Sequence, residues 1–207
     1  MPSEATRDAC ATEPTSAPRL RDRLRAETRA AHEALDAEFA DMLQPGAEGL
    51  YARFLLTNRA GHAALEPALL ASPLAQLRDG AWQVDGRLDA LEADCRALRL
   101  PAWSGPAFAV QTPNLFEALG MAYVLEGSRL GAGFLLKALR RQAPGADRPV
   151  HYLEASSDPE PFRRLLALMN AQSPSTDEAD STIEAANRTF RHFRALAEGA
   201  RTRMTIS

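Results

Sequence analysis

Apolar side chains recur every three or four positions from Leu20 to Leu196, and no stretch of useful length alternates apolar with polar residues. That period is one face of an α-helix and leaves no half-buried strand to build a sheet. Leu20, Leu24, Thr28, His32, Leu35 and Phe39 lie on one such face, and Gln44-Pro45-Gly46 closes the helix. A second helix is predicted from about Gly49 to Leu70, with Tyr51, Phe54, Leu55, Asn58, His62, Leu65 and Leu69 as its stripe. A loop around Arg78-Asp79-Gly80 follows, and Leu88, Leu91, Cys95 and Leu98 mark a third helix. Pro101, Pro106 and Pro113 make residues 101–114 a loop. A long helix runs from about Leu115 to Arg141 and stops at Pro144-Gly145. A short helix then covers about Glu160 to Asn170, and a last one about Thr176 to Arg203. The sequence therefore predicts an all-α domain of six or seven helices over residues 19–203. Residues 1–18 are small, polar and proline-containing; with too little apolar surface to offset ordering entropy, they read as a flexible tail.

Composition narrows the function classes. A chain of 207 residues can bury a sizeable core in one domain without covalent staples. A net charge of -3, from 24 basic and 27 acidic side chains, carries no nucleic-acid footprint. No apolar run approaches the length of a membrane span, and the N-terminus has no apolar signal region. Cys10 and Cys95 form no CxxC motif and no disulfide framework, which fits a reducing, cytoplasmic compartment.

Two segments carry candidate chemistry. The first is Tyr123-Val124-Leu125-Glu126-Gly127-Ser128-Arg129-Leu130-Gly131-Ala132-Gly133, three glycines and a serine inside an otherwise apolar helix. Each interior glycine costs roughly 1 kcal/mol relative to alanine. Gly127 and Gly131 are four apart and share a face, so another surface can approach the backbone there. That surface is either a neighbouring helix or a flat ligand. The second segment is Leu24-Arg25-Ala26-Glu27-Thr28-Arg29-Ala30-Ala31-His32-Glu33-Ala34-Leu35-Asp36. His32 on the apolar stripe is either a satisfied core histidine or a metal ligand, and neutral imidazole is the usual proximal ligand of heme iron. Arg21, Arg25 and Arg29 run down one side, as a solvated basic face or as a clamp for carboxylates.

Together the two segments resemble the heme oxygenase family. The first is similar to its bacterial distal helix, of the form YVxEGSxLGAxFLxK, continued here by Phe134-Leu135-Leu136-Lys137. The second is similar to its proximal segment, of the form LRxxTxxxHxxLD. The resemblance extends from about residue 19 to residue 200. It implies a single-domain, multi-helix fold with heme between a proximal and a glycine-rich distal helix, His32 being the iron ligand. Gly127, Ser128 and Gly131 would line the distal face, with Tyr123 near the heme edge and Thr28 in the proximal motif. Arg25 and Lys137 would meet the two propionates, and Asn58, His62 and Arg87 would hold a distal water network. Phe193 stands where some relatives have a propionate-binding tyrosine, a loss of about one hydrogen bond, on the order of 1 kcal/mol. Ala40 stands where a regiochemically divergent branch has a lysine, which leans toward opening at the α-meso carbon.

The implied activity is oxidative cleavage of heme to biliverdin, CO and ferrous iron, with O2 and electrons from a ferredoxin or flavin reductase, by a cytoplasmic monomer or weak dimer. Heme is flat and apolar with two anionic tails, so it needs an apolar slot, one neutral nitrogen ligand and cations at the mouth. The porphyrin is substrate as well as cofactor, so a backbone-lined face with ordered water suits it better than a strong acid placed directly above the iron. The alternative on the same fold is a heme carrier or sensor without turnover. His62 is either a core histidine or a rival axial ligand; His151, expected in a loop, and His192, beside the packed face of the last helix, have no matching constellation. A thiaminase-like hydrolase wants a partnered core cysteine, and Cys95 has no evident partner. A di-iron oxidase wants Glu-x-x-His pairs, whereas Glu66 and Glu126 stand isolated along the chain.

Overall fold

The computed structural model describes residues 19–77, 82–142 and 148–205. The tail, Cys10, the Arg78-Asp79-Gly80 loop and the Pro144-Gly145 stop lie outside the described residues. Among the described residues all regular structure is helical: α1 (Leu20–Glu27), α2 (Arg29–Asp36), α3 (Glu48–Leu70), α4 (Leu88–Ala97), α5 (Leu115–Gln142), α6 (His151–Ala155), α7 (Glu160–Asn170) and α8 (Thr176–Thr205). Short 3-10 turns at Ala37–Phe39 and Pro73–Gln76 follow α2 and α3. No helix described is long and apolar enough to cross a membrane.

The two longest helices form the spine. α5 lies against α8, and α1, α2 and α3 also pack on α8. The close approach of α5 and α8 depends on Gly120: a Cβ there would stand 2.1 Å from the Thr182 carbonyl oxygen. Gly61 does the same for α3, since its Cβ would meet the Phe193 ring at 2.2 Å. One apolar cluster gathers Leu24, Leu65, Leu69, Leu119, Leu125, Leu165, Phe190 and Phe193 around α8. A second, around Leu55, Leu91, Cys95, Leu136 and Leu153, joins α3, α4, α5 and α6.

Two elements depart from the periodicity, and in the last helix the inward period of Ile183, Ala186, Phe190, Phe193 and Leu196 holds. The first helix is broken at Thr28 (φ −104°, ψ −4°), whose hydroxyl donates to the Leu24 carbonyl at 2.7 Å. Such back-bonding offers the chain an alternative to the helix ladder. Beyond the break α2 lies along α8 with Ala31 and Leu35 only partly buried, and His32 is exposed rather than in the core. The stripe drawn through His32 assumed one continuous helix. Secondly, His151 is not in a loop; it opens α6, a five-residue helix with no apolar period of its own to announce it. It forms because buried Asp94 of α4 accepts the amides of His151 (3.0 Å) and Tyr152 (2.9 Å), supplying the cap from another part of the chain. Phe193 is packed in the interior against Gly61, not at an open mouth.

Candidate functional site

On the proximal side the break at Thr28 presents His32 to solvent. Its side chain is 57% exposed, and Nδ1 lies 3.1 Å from Oδ2 of Asp36, one turn on. A carboxylate at Nδ1 fixes that nitrogen as the protonated one and leaves the Nε2 lone pair outward, as metal-binding histidines are commonly braced. Phe190 of α8 supports the ring edge-on at 5.6 Å. The core-histidine reading of His32 is thereby excluded. Arg25 and Arg29 are exposed on the same helix pair, Arg29 with only a loose contact to Glu33 at 3.8 Å.

Tyr123 joins this wall to α5. It lies close to Thr28, Arg21 and Arg25, and packs against Phe162 of α7 with ring centroids 5.8 Å apart. Burial pushes its phenol pKa up, so it remains a neutral hydroxyl.

The glycine face of α5 follows, and its glycines are not packing residues. A Cβ on Gly131 would meet nothing within 4 Å, and one on Gly127 only the Phe162 ring at 3.8 Å. Gly61 and Gly120 show what a packing glycine looks like in this chain. Leu130 and Phe134 flank the open face and are each 62% exposed, while Lys137 is exposed two turns beyond Gly131. Backbone, small residues and uncovered apolar side chains thus share one surface.

Behind that face lies a buried polar network. Ser128 donates to the Leu125 carbonyl at 2.7 Å and receives Nη1 of Arg87 at 3.3 Å. Arg87 is 1% exposed; Nη2 reaches the Leu125 carbonyl at 2.9 Å and approaches Glu126 at 3.6 Å. Its backbone N–H donates to Oε1 of Glu66 at 2.7 Å, and the same oxygen accepts from Nδ1 of His62 at 2.7 Å. Nε2 of His62 is 3.3 Å from the Tyr152 hydroxyl, which also reaches Oδ1 of Asn58 at 3.1 Å. On the far side Arg129 pairs with Glu126, reaches Asp85 at 2.6 Å, and donates to the Ala155 carbonyl at 3.0 Å.

The charges balance without a proton on His62: Arg87 and Arg129 oppose Glu66 and Glu126, with half-exposed Asp85 at the rim. Burial, then the Arg87 charge, push the His62 pKa down to about 4, so the ring is neutral near pH 7. Burial raises the Glu66 pKa, but its bonds to His62 and Arg87 outweigh that and leave it below the usual carboxylate value. The buried Nε of Arg87 has no protein partner, an uncommitted donor inside the network.

The structure thus brings Asn58, His62, Arg87 and Ser128 into one connected set, and places Gly127 and Gly131 on the surface in front of it. It leaves Phe193 outside, in the core. Tyr152, Glu66, Glu126, Arg129 and Asp94 belong to the set and were not singled out from sequence. Glu66 and Glu126 are isolated only along the chain. Buried charge at positions three apart, Glu126 and Arg129 within an apolar helix, was the available signal for part of this; Tyr152 offered none. His62 is 1% exposed with both ring nitrogens engaged, so it is not a rival axial ligand. Among the described residues no group of three or more His, Cys, Asp and Glu side chains could hold a metal ion, so a carboxylate-bridged di-iron centre has no ligand set there. Cys95 is buried and its thiol pKa is raised, chiefly by desolvation, which leaves it inert as a nucleophile.

An exposed, carboxylate-braced imidazole and a glycine-lined helix backed by buried charge, both carried on α8, define an all-helical class of protein suited to a flat, metal-bearing ligand. Comparison with known proteins gives the family. The heme oxygenase family model matches residues 107–199. A curated heme oxygenase from Xanthomonas campestris pv. campestris (strain 8004) is 36% identical over 136 residues, covering 64% of this chain and 80% of that protein. The NO- and CO-bound heme oxygenase from Neisseria meningitidis shares the fold, with a TM-score of 0.71, 21% identity, and 89% and 92% of the two chains covered. The chain belongs to the heme oxygenase family.

Proposed function

We propose that this enzyme opens heme at the α-meso carbon to give biliverdin, CO and ferrous iron, using O2 and electrons from a ferredoxin or flavin reductase. The observation that carries the reading is the open glycine face: one helix turn of α5, Gly127 to Gly131, where an added Cβ would meet nothing nearer than the Phe162 ring at 3.8 Å, with the polar network behind it. Glycine there costs helix stability, and no packing contact repays it.

The residues fit the group. His32 would bind the iron through Nε2, its other nitrogen held by Asp36. Arg25 and Lys137, both exposed, would meet the propionates. Gly127 and Gly131 would let the porphyrin plane approach the helix backbone, with exposed Leu130 and Phe134 as apolar flanks. Bound heme supplies the reductive activation of dioxygen, and its own ring is what is oxidised. The chain's part is to hold the ring, exclude bulk water and present ordered donors. Ser128 fixes the end of the network nearest the glycine face, and Arg87, locked by Ser128, Leu125 and Glu66, orients it. With His62 neutral, the network offers hydrogen bonds without a strong acid. Ala40, in place of a lysine, supports the α isomer. A single domain over residues 19–203, a cytoplasmic location and a monomeric or weakly dimeric state complete the proposal.

Replacing the proposed iron ligand tests it. His32→Ala is expected to weaken hemin binding by at least tenfold in a Soret titration, and added imidazole should restore the band. Unchanged affinity in that variant, without imidazole, would remove His32 from the site.

A further inference from the structure

Tyr152 has more acceptors than protons. Its hydroxyl is buried between Nε2 of His62 (3.3 Å) and Oδ1 of Asn58 (3.1 Å), with the Ser128 and Ser156 side chains near by. The neighbours' protons are mostly committed. Ser128 donates to the Leu125 carbonyl, and Asn58 donates through Nδ2 to the Phe54 carbonyl at 2.8 Å, which sets its amide with Oδ1 toward Tyr152. Ser156 receives Arg87 at 3.4 Å, so its own proton is available to the phenol oxygen. The single phenol proton must therefore choose between His62 and Asn58.

The rest of the network makes that choice. Nδ1–H of His62 is taken by Glu66, so a neutral ring has a bare lone pair at Nε2. Were the phenol to donate to Asn58, that lone pair would face the phenol oxygen with no proton between them. A second ring proton would relieve this, but Arg87 and Arg129 oppose it, and burial opposes it further. The phenol proton therefore belongs to His62, and Oδ1 of Asn58, on a half-buried residue, lacks its donor.

We infer that Tyr152 is a positioning residue for the distal side, one that gives its phenol proton to Nε2 of His62, whose ring Glu66 holds as the Nδ1–H tautomer, and so keeps Oδ1 of Asn58 as an acceptor reserved for a water molecule. Asp94 places it: fully buried, Asp94 caps α6 through the amides of His151 and Tyr152 and holds the imidazole of His151 at 2.7 Å. A water held at Asn58 would have a fixed acceptor there, and the unpaired Nε of Arg87 is an uncommitted donor in the same network. Calling this the distal side rests on the proposed heme-degrading function; the tautomer of His62 does not.

The test uses the ligand-free protein, labelled with 15N-histidine and studied by NMR near pH 7. Wild-type His62 is expected to show a protonated Nδ1 and an acceptor-type, hydrogen-bonded Nε2. In Tyr152→Phe the Nε2 resonance should move downfield, toward that of a lone pair without a donor, while Nδ1 keeps its proton. In the heme-loaded variant, turnover should fall about tenfold with hemin affinity within twofold of wild type. A wild-type His62 protonated at Nε2, or a Tyr152→Phe protein whose Nε2 resonance stays in place, overturns the inference. Should the variant fail to fold, the wild-type Nε2 resonance decides it: a position shifted upfield by a hydrogen bond supports the inference, and that of a lone pair without a donor overturns it. Wild-type protein that binds hemin but never degrades it would instead refute the functional reading, leaving the nitrogen assignment untouched.

Discussion

Gly131 and Gly120 sit in the same helix and should respond oppositely to the same substitution. At Gly131 a new Cβ meets nothing within 4 Å, so alanine removes only the conformational cost of glycine. That is worth about 0.5–1 kcal/mol in a helix interior. For a domain this size, each kcal/mol moves the melting midpoint by roughly 2–4 °C, so Gly131→Ala should melt about 1–4 °C higher. At Gly120 the new Cβ would lie 2.1 Å from the Thr182 carbonyl oxygen and 3.0 Å from both the Ala185 Cβ and the Ala186 nitrogen. Two of those three atoms are backbone, so α5 and α8 must separate. Overpacking of that kind costs about 1–3 kcal/mol or more, which exceeds the propensity gain and lowers the midpoint by several degrees. Thermal melts of the heme-free variants, followed by circular dichroism, separate the two. Gly131→Leu extends the test, since it should leave the melt near wild type and weaken hemin binding about tenfold or more. A fall of several degrees in Gly131→Ala would mean that this face is packed in solution, and the argument for an open ligand wall would fail.

Two further outcomes follow from the buried network. His62 has its folded-state pKa at about 4 against an ordinary value of 6.5, so the folded protein binds fewer protons than the unfolded chain in that window. Stability is therefore whole above about pH 6.5 and declines as the pH falls toward 4, by roughly 3 kcal/mol at most from this group. Glu66, shifted below its usual value, extends the loss at lower pH. Melts from pH 7 to pH 4 should show a shallower decline in His62→Gln; parallel curves would count against a buried neutral ring. Asp94→Ala leaves two α6 amides without their acceptor, at about 1–3 kcal/mol each, so its midpoint should drop by at least several degrees. An unchanged melt would show that α6 holds itself.

The helices were legible because each long one buries an apolar stripe, as α3, α5 and α8 do. The two segments carrying the resemblance are also where the structure is open, at His32 and at Gly131. What escaped was written in contacts between distant parts of the chain. α6 has too few residues for a period and owes its cap to Asp94, which lies 57 positions from His151. Tyr152 gains its role only when α6, packed on α4 and α5, brings its hydroxyl to His62 and Asn58 of α3, a relation no spacing encodes. The break at Thr28 was hidden for the opposite reason: the apolar period runs through it unbroken. Phe193 looked like a site residue by its place in the resemblance, and went to the core because Gly61 makes room for its ring.

The most direct test of the central claim is a titration of the purified protein with hemin, followed by ascorbate under air. The account predicts a Soret band saturating at one equivalent, its decay on reduction, and a broad red absorption whose pigment runs as the α isomer of biliverdin. A Soret band that forms but persists with ascorbate and with a ferredoxin system would describe a heme carrier and contradict the account. No Soret band at all would remove heme from the site and leave the glycine face without its ligand.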